Sequence, residues 1–231
     1  MFSQRTAVAA ILTPLALIVI YFGGWVYQLT IVLLLVVAAW EYTKLLQITN
    51  LQPSLPLVLG GVALLGLSRS LVQFNYSSAL LTLLLFALAA CHILRFERGD
   101  PQPATNFGAS LSVLLYVGFL GSYLISLRAL PEGRWWTYLV LPVVWIADTG
   151  AYLIGTWVGK LKLAPKTSPN KTWEGYLAGI LSGILGGIGL FLLYRSAFGV
   201  DLGISPLQAG LLSLVVSTLI PLGDLTESMV K

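Results

Sequence analysis

Asp148 stands inside an apolar run, and the chain soon afterwards carries Lys160, Lys162, Lys166 and Lys171, four of its 13 basic residues, within WIADTGAYLIGTWVGKLKLAPKTSPNKTWEG from Trp145 to Gly175. A carboxylate at membrane depth is costly unless it is paired, hydrated or metal-bound, which makes function the default reading and an ion pair with a neighbouring span the structural alternative. Carboxylate oxygens suit a hard cation, and lysines suit a polyanion such as a triphosphate. Pro165 and Pro169 restrict the backbone on both sides of Lys166, so the segment is stiffer than its length suggests. Thr172 can cap a following helix, with Glu174 in its first turn complementing the dipole. Free amide groups at such an N-terminus, beside Ser168, Asn170 and Lys171, form a candidate phosphate site. The alternative is a positive-inside anchor touching anionic lipid headgroups, which needs the lysines but not the Pro, Ser and Asn around them.

A second constellation closes the chain, Pro221-Leu222-Gly223-Asp224-Leu225-Thr226-Glu227-Ser228-Met229-Val230-Lys231. At about 100° per residue, Glu227, Ser228 and Lys231 fall within about 60° of Asp224, so all four share one face of a helix. Two acids, a hydroxyl and a lysine on one stripe make a metal and phosphate surface. Asp224 followed three residues later by Glu227 is equally a capping box opening a short helix.

The elements that must position these groups are membrane helices. Hydrophobic residues make up 57% of the 231 and charged residues only 10%, with a mean hydropathy of +0.88; soluble domains are near a quarter charged, so that class is excluded. A crossing needs roughly 20 helical residues. Apolar runs place spans at about 7 to 22, 25 to 40, 53 to 68, 77 to 94, 107 to 127, 136 to 156, 173 to 194 and 206 to 222. The expected fold is therefore all-α, a polytopic integral membrane helix bundle of about eight transmembrane helices, forming a single domain over 1–231. Its polar site is built from about 145–175 and 223–231. Pro142 is expected to open the helix backbone near Asp148. With eight crossings, nine basic residues (Arg5, Lys44, Arg95, Arg98, Lys160, Lys162, Lys166, Lys171 and Lys231) lie on one side and Arg69, Arg128, Arg134 and Arg195 on the other. The positive-inside rule then faces the lysine segment to the cytoplasm. Four of the nine belong to the suspected site itself.

Other residues read as structure. Gly179, Gly183 and Gly187 recur every fourth position and offer a smooth stripe for close helix packing. Trp25, Trp40, Trp135 and Trp136 sit near span ends, where interfacial anchors belong. The single cysteine, Cys91, excludes an intramolecular disulfide and reads as a small packing residue.

The ADTGAY run at 147–152, the GKLKLAPKTSPNKTWEG run at 159–175 and GDLTESMVK at 223–231 resemble the motifs of the phosphatidate cytidylyltransferases, also called CDP-diacylglycerol synthases. The resemblance covers about forty residues, and the first 140 contribute only compatible hydropathy. It implies condensation of CTP with phosphatidate to CDP-diacylglycerol and pyrophosphate in phospholipid biosynthesis, with magnesium or another divalent cation. It further implies a homodimer in a bacterial inner membrane, with the site facing the cytoplasm and no nucleic-acid partner. Carried onto this sequence, Asp148, Asp224, Ser228 and Lys231 form the catalytic set. Lys160, Lys166, Ser168, Asn170, Lys171, Thr172 and Glu174 form the nucleotide-handling set, and Asp148, Asp224 and Glu227 are the candidate metal ligands. The family's longest motif begins with Ser-x-x-Lys, here Ser228 to Lys231, and continues through a Lys-Asp pair, a His-Gly-Gly turn and further acids. The expectation is a chain that inserts and folds but, lacking those carboxylates, does not turn over. The rival classes are a transporter or channel for a phosphorylated solute, in which Asp148 couples to protons, and a CTP-dependent lipid kinase.

Overall fold

The computed structural model describes the backbone of residues 2–72 and 76–230 and the side chains of residues 12–69, 71 and 76–229. The protein is an all-α polytopic membrane protein, apart from one two-stranded ribbon. Every apolar run expected to span coincides with a helix. Among the described residues six helical stretches are long and apolar enough to cross a bilayer: Gly24–Ile48, Ser77–Glu97, Pro103–Ala129, Gly133–Val158, Trp173–Phe198 and Pro206–Met229. Two further apolar stretches, Leu12–Phe22 and Leu55–Arg69, are shorter. Outward-facing Leu33, Phe86, Leu181 and Leu185 are exposed, as lipid-facing side chains must be.

Packing divides the chain into two compact units, Met1–Pro131 and Glu132–Lys231. The first holds α1 (Phe2–Phe22), α2 (Gly24–Ile48), α3 (Leu55–Val72), α4 (Ser77–Glu97), α5 (Pro103–Val113), a π-helical segment (Leu114–Leu120) and α6 (Tyr123–Ala129). Its core is Ala39, Val58, Val62, Leu65, Leu88, Val113 and Leu114. The turn from α1 to α2 uses Gly23 at φ 59°, a conformation L side chains rarely adopt. A Cβ there would also land on the Arg128 guanidinium, whose Nε donates to the Ile20 carbonyl at 3.0 Å.

Arg69 departs from the expected placement in a polar break between spans. It lies in the last turn of α3, 1% exposed. Its Nε donates to Ser122 Oγ at 3.3 Å, and its guanidinium carbon sits 4.5 Å from the Tyr123 ring centroid and 5.4 Å from that of Phe119. Delocalised charge and weak hydration let arginine stack on rings in this way.

Outside the spans, Asp100 accepts from the Gln102 backbone N–H and the Asn106 amide and lies 3.6 Å from Arg95. Those donors, led by the Gln102 N–H, hold its carboxyl below the usual range.

The second unit holds α7 (Gly133–Val158), β1 (Lys162–Ala164), β2 (Ser168–Thr172), α8 (Trp173–Phe198) and α9 (Pro206–Val230). Helix α8 packs against both α7 and α9, and its glycine stripe makes this possible. Gly179, Gly183 and Gly187 are all buried. A Cβ on Gly179 would come within 3.0 Å of the Ala147 carbonyl on α7, and Cβ atoms on Gly183 and Gly187 would overlap Ser217 and Ser213 of α9. Close approach through small residues is how membrane helices gain van der Waals packing where lipid removes the hydrophobic drive. At one end of this unit Leu139, Phe191, Tyr194, Leu202 and Ala209 form a core with Trp135 and Trp136 packed against it, and the Tyr194 hydroxyl donates to the Tyr138 carbonyl at 2.9 Å.

Candidate functional site

Three elements of the second unit carry the charged side chains of the site, and α8 completes its wall through Gly175 and Tyr176. On α7, which runs through Pro142 as a continuous helix, Asp148, Tyr152, Gly155 and Thr156 lie on one face at helical spacing. The lysine segment, which lies between two expected spans, is an antiparallel hairpin pairing Lys162 with Thr172 and Ala164 with Ser168, with an irregularity between these pairs. Pro165 lies in the connection, and Pro169 sits on a strand of a ribbon that has only edges, where a missing N–H is tolerated. Trp173 N–H donates to the Leu161 carbonyl at 2.9 Å, and Leu161 N–H donates to the Glu174 carboxylate at 3.1 and 3.3 Å. These bonds close the base of the hairpin against the start of α8. The third element is α9, which continues through Pro221 and Gly223 to Val230. Asp224 is therefore interior to a helix. The capping-box reading fails, because no helix begins there for it to cap.

A cavity of about 260 Å³ opens among these elements, walled by Asp148, Tyr152, Asn170, Lys171, Tyr176 and Asp224, with Gly155, Thr156 and Thr172 also contributing. Lys171 Nζ donates to Asp224 Oδ2 at 2.5 Å; the two side chains are 26% and 48% exposed. Asp148 is exposed on α7 and interacts electrostatically with both Asp224 and Lys171. Lys171 is thus bonded to Asp224, and Asp148 acts on the pair across the cavity without a direct contact. Gly155 permits the closure: a Cβ there would stand 3.2 Å from Thr172 Oγ1 and 3.3 Å from Gly175 Cα. Tyr176 hydroxyl donates to the Thr218 carbonyl at 3.3 Å and ties α8 to α9 beside the cavity.

Of the expected site residues, the fold brings Asp148, Asn170, Lys171, Thr172 and Asp224 together on this cavity. Thr172 is buried, and its hydroxyl accepts the Gly175 N–H at 3.2 Å as the cap of α8. With the Trp173 and Gly175 N–H groups both bonded, the start of α8 is not the open set of amides the sequence pattern suggested. Lys160, Lys162 and Lys166 are exposed on the hairpin, and neither they nor Ser168 or Glu174 lines the cavity. Ser228 Oγ donates to the Asp224 carbonyl at 2.9 Å, a bond back along its own helix. Lys231 lies outside the described residues.

Glu227 is exposed and does not wall the cavity. Three residues along α9 are about 4.5 Å of rise, enough to carry it past Asp224. Among the described residues no group of three or more His, Cys, Asp or Glu is gathered for a metal ion. The pair Asp148 and Asp224 still fits magnesium, which keeps several waters and takes one or two carboxylates together with substrate phosphates.

Sequence reasoning missed Tyr152, Thr156 and Tyr176. The first two recur four and eight residues after Asp148, so helical periodicity was the signal that could have found them. Tyr176 depends on α8 meeting α9, which no local pattern encodes.

Fold and cavity together define a polytopic membrane protein with a small cavity lined by two carboxylates and one ammonium. The chain belongs to the cytidylyltransferase family, whose sequence pattern matches residues 3–231. It is 31% identical to the phosphatidate cytidylyltransferase of Synechocystis sp. over 262 aligned positions, covering 99% of this chain and 84% of that one. The phosphatidate cytidylyltransferase of Staphylococcus haemolyticus is 29% identical over 98% of this chain and 84% of its own length. That of Bacillus subtilis is 36% identical over 51% of this chain and 42% of its own.

Proposed function

We infer that this protein is a nucleotidyltransferase of phospholipid biosynthesis that condenses CTP with phosphatidate, giving CDP-diacylglycerol and pyrophosphate. The observation that carries this reading is the convergence of Asp148, Lys171 and Asp224 on one cavity in a chain of the cytidylyltransferase family. In the reaction a phosphate oxygen of phosphatidate attacks the α-phosphorus of CTP, the bond from that phosphorus to the α–β bridging oxygen breaks, and pyrophosphate leaves. No covalent enzyme intermediate is required. The protein's work is positioning and charge neutralisation.

Asp148 and Asp224 would hold magnesium or another divalent cation, which when bound neutralises the phosphate oxygens and aligns them for displacement. Lys171 neutralises a phosphate as a point charge, and Asn170 beside it offers an amide donor and acceptor. Thr172 supports both by anchoring the end of β2 to α8. Ser228 stays in the proposed catalytic set on the face of α9 that carries Asp224, and Lys231, which lies outside the described residues, stays in it by the family resemblance alone. Lys160, Lys166, Ser168 and Glu174 act, on this reading, through the shape and field of the hairpin, and Glu227 through the field near the metal. The whole chain works as one membrane-embedded domain of an inner membrane, as a homodimer, with 145–175 and 223–231 facing the cytoplasm where CTP is found.

The deciding experiment supplies the full-length polypeptide, in detergent or lipid, with phosphatidate and CTP labelled at either the α- or the γ-phosphate. Label from the α position in the lipid product, with γ label in pyrophosphate, is the expected result. Label from the γ position in the lipid would make the protein a lipid kinase. Release of neither would return the site to a transporter or channel.

A further inference from the structure

We propose that Lys171 is an exchangeable cation. It neutralises Asp224 while no divalent ion is present, then yields that carboxylate to the ion and passes to the phosphates of the nucleotide, so that ion and nucleotide bind cooperatively. This rests on the nucleotidyltransferase reading of the cavity.

The pairing itself is the first support. Lys171 Nζ lies 2.5 Å from Asp224 Oδ2, so it stands against one of the two oxygens a divalent ion would take, and its charge opposes the entry of that ion. The pair is partly exposed. Partly exposed ion pairs are held only weakly against solvent, so the lysine can leave the carboxylate.

Charge balance is the second. Asp148 walls the same cavity and interacts electrostatically with both partners. One ammonium against two carboxylates leaves the cavity anionic, which repels a triphosphate until a divalent ion enters. Once the ion is on the carboxylates, Lys171 is released and the local charge becomes positive. The two ligands therefore favour each other, and by linkage each raises the other's affinity by the same factor.

The anchoring of Lys171 is the third. Its backbone belongs to β2 and is followed directly by Thr172, whose cap on α8 is buried. The strand stays fixed. Only the four-carbon stem of the lysine has to turn, and that stem is flexible.

The test reads binding, not turnover. Manganese(II) alone is titrated into the full-length protein in detergent, followed by electron paramagnetic resonance of the free ion, with and without the non-reacting analogue α,β-methylene-CTP. Manganese is expected to bind about tenfold tighter with the analogue present. Lys171→Gln should tighten manganese binding without the analogue by about tenfold and abolish most of the analogue's effect on it. Lys162→Gln removes the same charge from the exposed face of the hairpin and should change neither. Asp224→Asn, which frees Lys171 without metal, should strengthen metal-free binding of the analogue. It also guards against a Lys171→Gln protein that fails to fold.

Unchanged or weaker manganese binding in Lys171→Gln overturns the exchange. So does an equal gain in Lys162→Gln, which would mean only a long-range field. If the analogue binds under no condition while Lys171→Gln still tightens manganese, the nucleotidyltransferase reading fails and exchange between lysine and metal at Asp224 stands.

Discussion

Asp148 and Lys171 depend on each other for their meaning. An isolated carboxylate on a membrane helix is a liability, and an isolated lysine near the membrane surface is an anchor. Facing one cavity with Asp224, they become a site whose charge a divalent ion can invert. Replacing Asp148 by Asn keeps its size and removes its charge. In the full-length enzyme we expect this change to lower CDP-diacylglycerol formation by at least about 100-fold, the scale of losing one preorganised electrostatic group. Initial rates with α-labelled CTP would measure it, and a loss under about threefold would remove Asp148 from the metal set. Lys166 is a contrasting case: it is exposed at the hairpin turn and does not line the cavity. Lys166→Gln should leave affinity for α,β-methylene-CTP within about twofold, whereas Lys171→Gln should weaken it about tenfold in the presence of magnesium. Equal losses would show that Lys171 acts only through the same long-range field as Lys166, with no phosphate contact of its own.

Helix α8 is the element on which the site is hung. Its first turn receives the hairpin through Trp173, Glu174 and Gly175, and its glycine stripe draws α7 and α9 close enough for Asp148 and Asp224 to face one space. Widening that stripe should therefore disturb chemistry as well as stability. Gly183→Val would drive a side chain into Ser217, so we expect a lower melting temperature in detergent together with loss of metal binding. Gly189 is the control: a Cβ there meets nothing within 4 Å. Gly189→Ala should be neutral or stabilising by up to about 1 kcal/mol, because alanine loses less backbone entropy in a helix than glycine does. Similar melting temperatures for the two variants would show that close approach at Gly183 is not what holds the site.

At the scale of the whole molecule, the proposal requires the hairpin to face the cytoplasm. With Cys91 replaced by Ala and Lys166 by Cys, a membrane-impermeant maleimide should label inverted inner-membrane vesicles and spare intact spheroplasts. The opposite pattern would place the hairpin on the far side, where no CTP reaches it. The charge count supports the expected orientation but leans on the lysines of the site. Arg69, counted on the far side, is buried among Ser122, Phe119 and Tyr123, so it reports packing rather than topology. Orientation therefore rests on fewer surface charges than the bare sequence offers.

Membrane character, the run of apolar spans and the family motifs at 147–152, 159–175 and 223–231 were legible from residue order alone, because hydropathy, helical periodicity and motif spacing are local properties. The same locality explains what could not be read. That Lys171 takes Asp224 as its partner depends on the register of α8 against α9, set by Gly183 and Gly187 meeting Ser217 and Ser213. That four nearby lysines divide into one at the cavity and three outside it follows from the hairpin, whose pairing of Lys162 with Thr172 turns their side chains to different surroundings. Asp224 and Glu227 looked equivalent on a helical wheel, which discards rise along the axis. Only the depth of α9 beside α7 separates the carboxylate that reaches the cavity from the one that passes it.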